Sequence, residues 1–184
     1  ATSVWFGLEK GIRRLSDWNV ALAFALLLFI VLAGPTLFIV ELGFEAVGHM
    51  VQNFVRMSTW ADAAQTGSFV ESWTVFYWAW WLALGPYMGI FICKISRGRT
   101  LRQMILGCIG YGTLGSVVFF SVLGNYAIYL ELNNMYPVLE TMNSAGAPSA
   151  IVGVLSTLPW PKLVLVLFTI VCVIFAATSY DSSS

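Results

Sequence analysis

The stretch SWTVFYWAWWLALGPYMG, residues 72–89, holds four of the chain's eight tryptophans within nine residues. On a helix turning about 100° per residue, Trp73, Phe76, Tyr77, Trp80, Trp81 and Leu84 fall within one arc of about 140°. A row of rings on one helix face has two ordinary uses. At a membrane–water interface, amphipathic rings form a belt, and that accounts for Trp73 and Tyr77. It accounts poorly for Trp80 and Trp81, which lie about 10 Å further along the helix axis. Deeper indole faces can surround a cation without donor protons, because a quaternary ammonium is held by ring quadrupoles rather than by hydrogen bonds.

A second constellation closes the chain. In IFAATSYDSSS, Phe175, Thr178, Ser179 and Ser182 follow the i, i+3, i+4, i+7 spacing of one helix face. Hydroxyls in apolar helices commonly bond to their own backbone or to a neighbouring helix. The chemical alternative is that Thr178 and Ser179 offer oxygens to an alkali ion. Asp181 is an acid at the end of an apolar run. Inside a membrane it needs a partner; at the membrane edge it needs no explanation.

Other chemistry is thinly supplied. His49 is the only histidine, which excludes bis-histidine haem ligation and a multi-histidine metal centre within this chain. No phosphate-binding glycine loop, nucleophile elbow or paired-carboxylate motif is present. Cys93, Cys108 and Cys172 sit far apart inside apolar runs, as small packing residues rather than a disulfide framework.

The elements that must position these groups are membrane helices. Of 184 residues, 59% are hydrophobic and 10% charged, against roughly 25% charged in soluble domains. Four apolar runs reach the ~20 residues that a helix needs to cross about 30 Å of hydrocarbon: about 19–40, 72–95, 104–130 and 163–184. We expect an all-α membrane protein with these four spans in one transmembrane domain. Gly34-Pro35 is expected to kink the first span near its far end. Residues 41–57 place Leu42, Phe44, Val47, Met50, Val51, Phe54 and Val55 near helical spacing, which predicts an amphipathic helix along the membrane surface. The Gly-, Ala- and Pro-rich connection before the last span contains a short expected helix at 150–158. The chain opens at Ala1 and stops in SYDSSS at the tail of an apolar helix, and is expected to be a fragment of a longer protein.

Charge fixes the expected orientation. Net charge is zero, which gives no sign of a nucleic-acid partner. Lys10, Arg13 and Arg14 precede the first span, and Lys94, Arg97, Arg99 and Arg102 separate the second from the third. These seven of nine basic residues lie on one side of an alternating four-span chain, which the positive-inside rule makes cytoplasmic. Residues 1–17 and 96–103 are therefore expected in the cytoplasm. The opposite connections hold Glu41, Glu45, Asp62, Glu71, Glu131 and Glu140.

The run WTVFYWAWW followed by KISRGRTLRQ resembles the betaine/choline/carnitine transporter family. The GIRRLSDWN stretch, the GPT in the first span and the ATSYDSSS ending extend the resemblance over the whole chain. It implies a twelve-helix fold with two inverted five-helix repeats of the LeuT-like kind, of which these spans are the seventh to tenth. Such repeats place substrate near the midplane at their interface. It also implies a bacterial-type inner membrane and a homotrimer.

By the same resemblance, Trp81 and Trp80 form part of an aromatic box around a quaternary-ammonium substrate such as glycine betaine, choline or carnitine, with Trp78 lining the passage. Leu84 departs from betaine carriers that have a further tryptophan there. Phe175, Thr178 and Ser179 match positions that hold a co-transported Na+, and Tyr87 falls near a second sodium in some members. No resident cofactor or other metal is implied. The alternatives are sodium-independent exchange, proton-coupled choline uptake, a dimethylsulfonium osmolyte, or, in another class, a membrane-embedded enzyme or structural subunit. The family's third and fourth helices, which complete both sites, have no counterpart in this chain.

Overall fold

The computed structural model describes the backbone of residues 8–64, 67, 69–96 and 98–183. Side chains are described from residue 14 onward at these positions, except 91, 94, 95 and 179–183. The described residues form helices joined by short turns, without strands. In chain order the helices are α1 (Leu8–Ala33), α2 (Thr36–Gln52), α3 (Phe54–Thr59), α4 (Phe76–Ile95), α5 (Leu101–Phe119), α6 (Asn125–Leu132), α7 (Val138–Ala145), α8 (Ala147–Ser156) and α9 (Pro161–Ser183). Two π-helical segments, Val70–Val75 and Phe120–Gly124, lead directly into α4 and α6. Among the described residues, three stretches are long and apolar enough to cross a membrane: Arg14–Ala33, Leu101–Leu132 and Pro161–Thr178. Helix α4, over the second expected span, has 20 residues, which also suffices in length.

The first span differs from expectation at its end. Instead of a kinked helix reaching Val40, α1 stops at Ala33 and α2 begins at Thr36. Proline disfavours α conformation in the residue before it, lacks an N–H, and its ring clashes with the preceding turn. Gly34 N–H still bonds to Ile30 C=O at 2.8 Å, and the new helix takes Ile39 N–H onto Pro35 C=O at 3.0 Å. Residues 36–40 thus join the connecting helix, which runs 36–52 and then 54–59 rather than 41–57. The apolar part of α1 remains 20 residues long, enough to span without them.

Helix α2 presents three faces rather than two. Ile39 and Gly43 are buried. Leu37, Val40, Phe44 and Val51 form an exposed apolar strip, and Glu41, Glu45 and His49 occupy an exposed polar strip beside it. This departs from the expected grouping, because Phe44 and Val51 do not share the side of Leu42 and Met50. The cysteines are also placed differently: all three are free, as read, but exposed instead of packed.

The chain forms two compact units, one of residues 1–45 with 118–184 and one of residues 46–117. The first has a core of Leu26, Leu27 and Ile30 from α1, Ile39 from α2, Val122, Tyr126 and Leu130 from the third long helix, Val154, Leu155 and Leu158 around α8, and Val164 from α9. Two polar ties thread it. Buried Asn125 donates its amide to Ile39 C=O at 3.0 Å, joining α6 to α2. The Tyr126 and Thr157 hydroxyls lie 2.7 Å apart. Thr157 donates its proton to Val154 C=O at 2.7 Å, so Tyr126 is the donor between them.

Helix α7 was not foreseen from the sequence. Its first amides, on Val138 and Leu139, donate to the Glu131 carboxylate at 2.5 and 3.1 Å, an acid at a helix N-terminus where the macrodipole favours it. Gly146, at φ +85°, separates α7 from α8. On α8, Gly153 lies directly under the Tyr136 phenol, leaving no space for a Cβ.

In the second unit, α5 starts in a reciprocal cap. Gln103 N–H donates to Thr100 Oγ1 at 3.3 Å, and Thr100 N–H donates to Gln103 Oε1 at 3.1 Å. This is a capping box with glutamine as the returning residue.

Two outcomes test this packing. Gly153→Ala in the full-length protein is expected to cost about 1–3 kcal/mol, the usual range for forcing extra volume into a packed site, read as a lower melting temperature in detergent. Asn125→Ala is expected to cost about 0.5–2 kcal/mol through the lost interhelical hydrogen bond. Unchanged melting of either variant would contradict the corresponding contact.

Candidate functional site

The tryptophan run occupies the start of α4, but its lead-in is not a regular α-helix. Residues Val70–Val75 are π-helical, with an i→i+5 pattern that winds more loosely. The uniform 100° step used for Trp73 therefore does not hold across this segment. What keeps Trp73 in line with the row is ring packing: it stacks on Tyr77 with centroids 6.1 Å apart and planes 19° from parallel. Phe76 continues the row with an edge contact to Tyr77 at 5.6 Å and a tilted contact to Trp80 at 5.6 Å. From Phe76 onward the α-helical phase holds. It puts Trp80 and Trp81 about 100° apart on the ringed face, with Trp78 about 60° beyond Trp81.

These rings are not consumed by their own unit. Trp80 is 52% exposed, Trp81 59% and Trp78 66%. Tyr77, Leu84 and Tyr87 are exposed too. Burying an aromatic side chain removes 150–250 Å² from solvent, so an uncovered row this long is a face made to be covered. Further down α4, Pro86 sits within the helix. It cannot donate to the carbonyl four residues earlier, which leaves Leu82 C=O without its usual helical partner one turn below the tryptophans.

The hydroxyl constellation lies on α9. Thr178 is half-buried, and its Oγ1 lies 3.0 Å from both Ile174 C=O and Phe175 C=O. The hydroxyl proton serves the helix's own backbone, as mid-helix threonines often do, while its lone pairs remain as acceptors. Thr178 Oγ1 and Phe175 C=O are thus adjacent oxygens of the kind an alkali ion needs. Ser179 and Asp181 lie on the helix, but their side chains fall outside the described set.

Among the described residues no group of three or more His, Cys, Asp or Glu side chains is placed to hold a metal ion. His49 is exposed on α2. Sequence reasoning did not single out a cavity of about 360 Å³ in the second unit, lined by Met57, Trp60, Asp62, Phe69, Val70 and Thr74 among others. Trp60 and Asp62, only two residues apart among small polar residues, were its one available signal.

The comparisons with known proteins bear on the chain as a whole. A family model described as "betaine/carnitine/choline family transporter" matches residues 1–184. The ectoine/glycine betaine/proline transporter EctP of Corynebacterium glutamicum is 38% identical over 184 residues, covering 99% of this chain and 30% of that protein. The glycine betaine transporter OpuD of Bacillus subtilis is 34% identical over 184 residues, covering 99% and 35%. A carnitine transporter of Acinetobacter baumannii is 33% identical over 182 residues, covering 99% and 33%. The chain spans about a third of the length of these relatives. With a family match over its whole length, long apolar helices and no strand among its described residues, this chain belongs to the betaine/carnitine/choline transporter family, whose members are transporters and not enzymes.

Proposed function

We propose that the chain is part of a secondary transporter for an onium osmolyte, with the α4 tryptophan face as one wall of the substrate site. The observation that carries the reading is that face itself, a row of mutually packed rings left open to a ligand or to further helices. Ring quadrupoles attract a methylated cation, and each well-placed ring contributes on the order of 1–2 kcal/mol once water is excluded. Trp81 and Trp80 are the residues we assign to the cation, and Trp78 to the passage beside it. The names of the relatives support the substrate class without choosing within it, since they include glycine betaine, carnitine, ectoine and proline.

Coupling to sodium is the second part of the proposal. Phe175 C=O and Thr178 Oγ1 would supply two ligands, with Ser179 as a third, while the remaining ligands come from other helices. Bound Na+ would favour the state that accepts substrate, an effect limited by its differential affinity for the two states. A sodium-independent exchanger is the competing reading. It is favoured by the Thr178 hydroxyl, whose bonds to Ile174 and Phe175 carbonyls also suit a purely structural residue. The inverted-repeat fold, the trimer and the inner-membrane location belong to the same proposal, and rest on family likeness. The concentration of Lys and Arg on one set of connections supports a cytoplasmic position for residues 1–17 and 96–103.

Uptake of radiolabelled glycine betaine, choline and carnitine into proteoliposomes holding the full-length protein tests both parts. Trp81→Ala is expected to weaken apparent affinity for the transported compound about 5–30-fold, the equivalent of one ring, in protein that remains monodisperse. Unchanged affinity would remove Trp81 from the site. Replacing external sodium with potassium is expected to abolish accumulation, and Thr178→Ala to raise the sodium requirement about tenfold, as for a lost interaction of roughly 1.4 kcal/mol. Uptake indifferent to both changes would establish the exchanger instead.

A further inference from the structure

We infer, on the reading of the tryptophan face as an onium site, that Pro86 is a positioning residue for that face. It bends α4 so that the side bearing Trp80 and Trp81 is concave, with Leu84 at the elbow and Met88 as the lower wall.

The direction of the bend follows from helical phase. From Phe76 to Ile95 the helix is α-helical, so positions can be counted at about 100° per residue. Leu84 falls about 10° from the line midway between Trp80 and Trp81, and Met88 about 30° from it. Pro86 falls about 170° from the same line, on the opposite side of the helix. A proline offers no N–H to the carbonyl four residues earlier, and its ring clashes with that carbonyl. The Leu82 carbonyl is pushed away along the helix, so the proline side lengthens and the helix curves toward its other side. In α4 that other side carries the tryptophans.

Exposure agrees with this direction. Leu82 and Leu84 are the same residue type two positions apart, the first on the proline side and the second on the tryptophan side. Leu82 is 73% exposed and Leu84 38%. Ile90, also turned away from the tryptophans, is 61% exposed, whereas Met88 is half-buried. Side chains near the elbow are sheltered on the inside of the curve and open on its outside.

An onium cation gains from such a shape. It is attracted to a ring from within about 6 Å of the centroid, and more strongly once desolvated. On a straight helix, side chains one and two turns apart point outward in parallel, and a ligand lying against them keeps most of its hydration. A proline kink of about 20°, acting at a radius of about 5–6 Å, shortens the inner face by about 2 Å. Trp80 and Trp81 above the elbow and Met88 below it then tip toward one another over Leu84. The methionine thioether is polarisable and adapts to an irregular methylated surface. Alanine at position 86 would restore the missing backbone bond and is the better helix former, so the proline trades local stability for curvature.

Binding of radiolabelled tetramethylammonium to the purified full-length protein, measured by scintillation proximity, tests this role in four proteins: unmutated, Pro86→Ala, Trp81→Ala and the double variant. Pro86→Ala is expected to weaken binding about 5–10-fold when Trp81 is present, and less than about twofold when Trp81 is already alanine, because the proline acts through that ring. It is also expected to melt no lower than the unmutated protein in detergent, since alanine closes the helical ladder. Equal losses in both backgrounds, or no loss in either, overturn the positioning role but leave the tryptophan face standing. A lower melting temperature, or aggregation on gel filtration, would show that the proline serves folding and overturns the role as well. If the unmutated protein binds no tetramethylammonium, or Trp81→Ala binds it unchanged, the onium reading of the face fails first and the role of Pro86 falls with it.

Discussion

A backbone amide in hydrocarbon must find its partner within the protein, because no water is there to serve it. The described structure follows from this rule. Its long elements are helices, and its irregularities occur where the rule is hardest to obey. Pro35 cannot continue the hydrogen-bond ladder, so the chain ends one helix at Ala33 and starts another at Thr36. Pro86 remains inside α4, just past the tryptophans. The two π-helical segments preserve backbone bonding while shifting the phase of the side chains that follow. The break at Pro35 and the π-helical segments keep the backbone bonded, whereas Pro86 leaves the Leu82 carbonyl without its usual helical partner.

Polar side chains then tie the helices together. Hydrophobic burial does not bring helices together in a lipid solvent, so packing and interhelical hydrogen bonds take a larger share. The bond from Asn125 to Ile39 C=O and the bond from Tyr126 to Thr157 connect elements 86 and 31 residues apart. They sit next to the apolar core of Ile30, Leu130, Leu155 and Val164. Gly153 permits Tyr136 to close over α8. This unit has a well-developed interior, whereas the α4 rings in the other unit remain open. In the proposed reading, that contrast separates scaffold from recognition surface.

Much of this protein could be read from its residues. Length, hydropathy and the distribution of Lys and Arg gave helices, spans and an expected sidedness, because these properties depend on local composition and on the thickness of a bilayer. The ringed face of α4 was legible from Phe76 onward because a helix has a fixed phase. The family was legible in WTVFYWAWW and SRGRTLRQ. The capping of α5 by Thr100 and Gln103 was also written in adjacent residues, although it was not among the expectations. Other features depend on contacts between distant segments. The burial of Asn125 against Ile39, the bond from Tyr126 to Thr157, and the recess that brings Met57, Trp60, Asp62 and Thr74 together all belong to this second kind. Local sequence decides how each segment bonds with itself; only the folded chain decides which side chains from separate segments share a space.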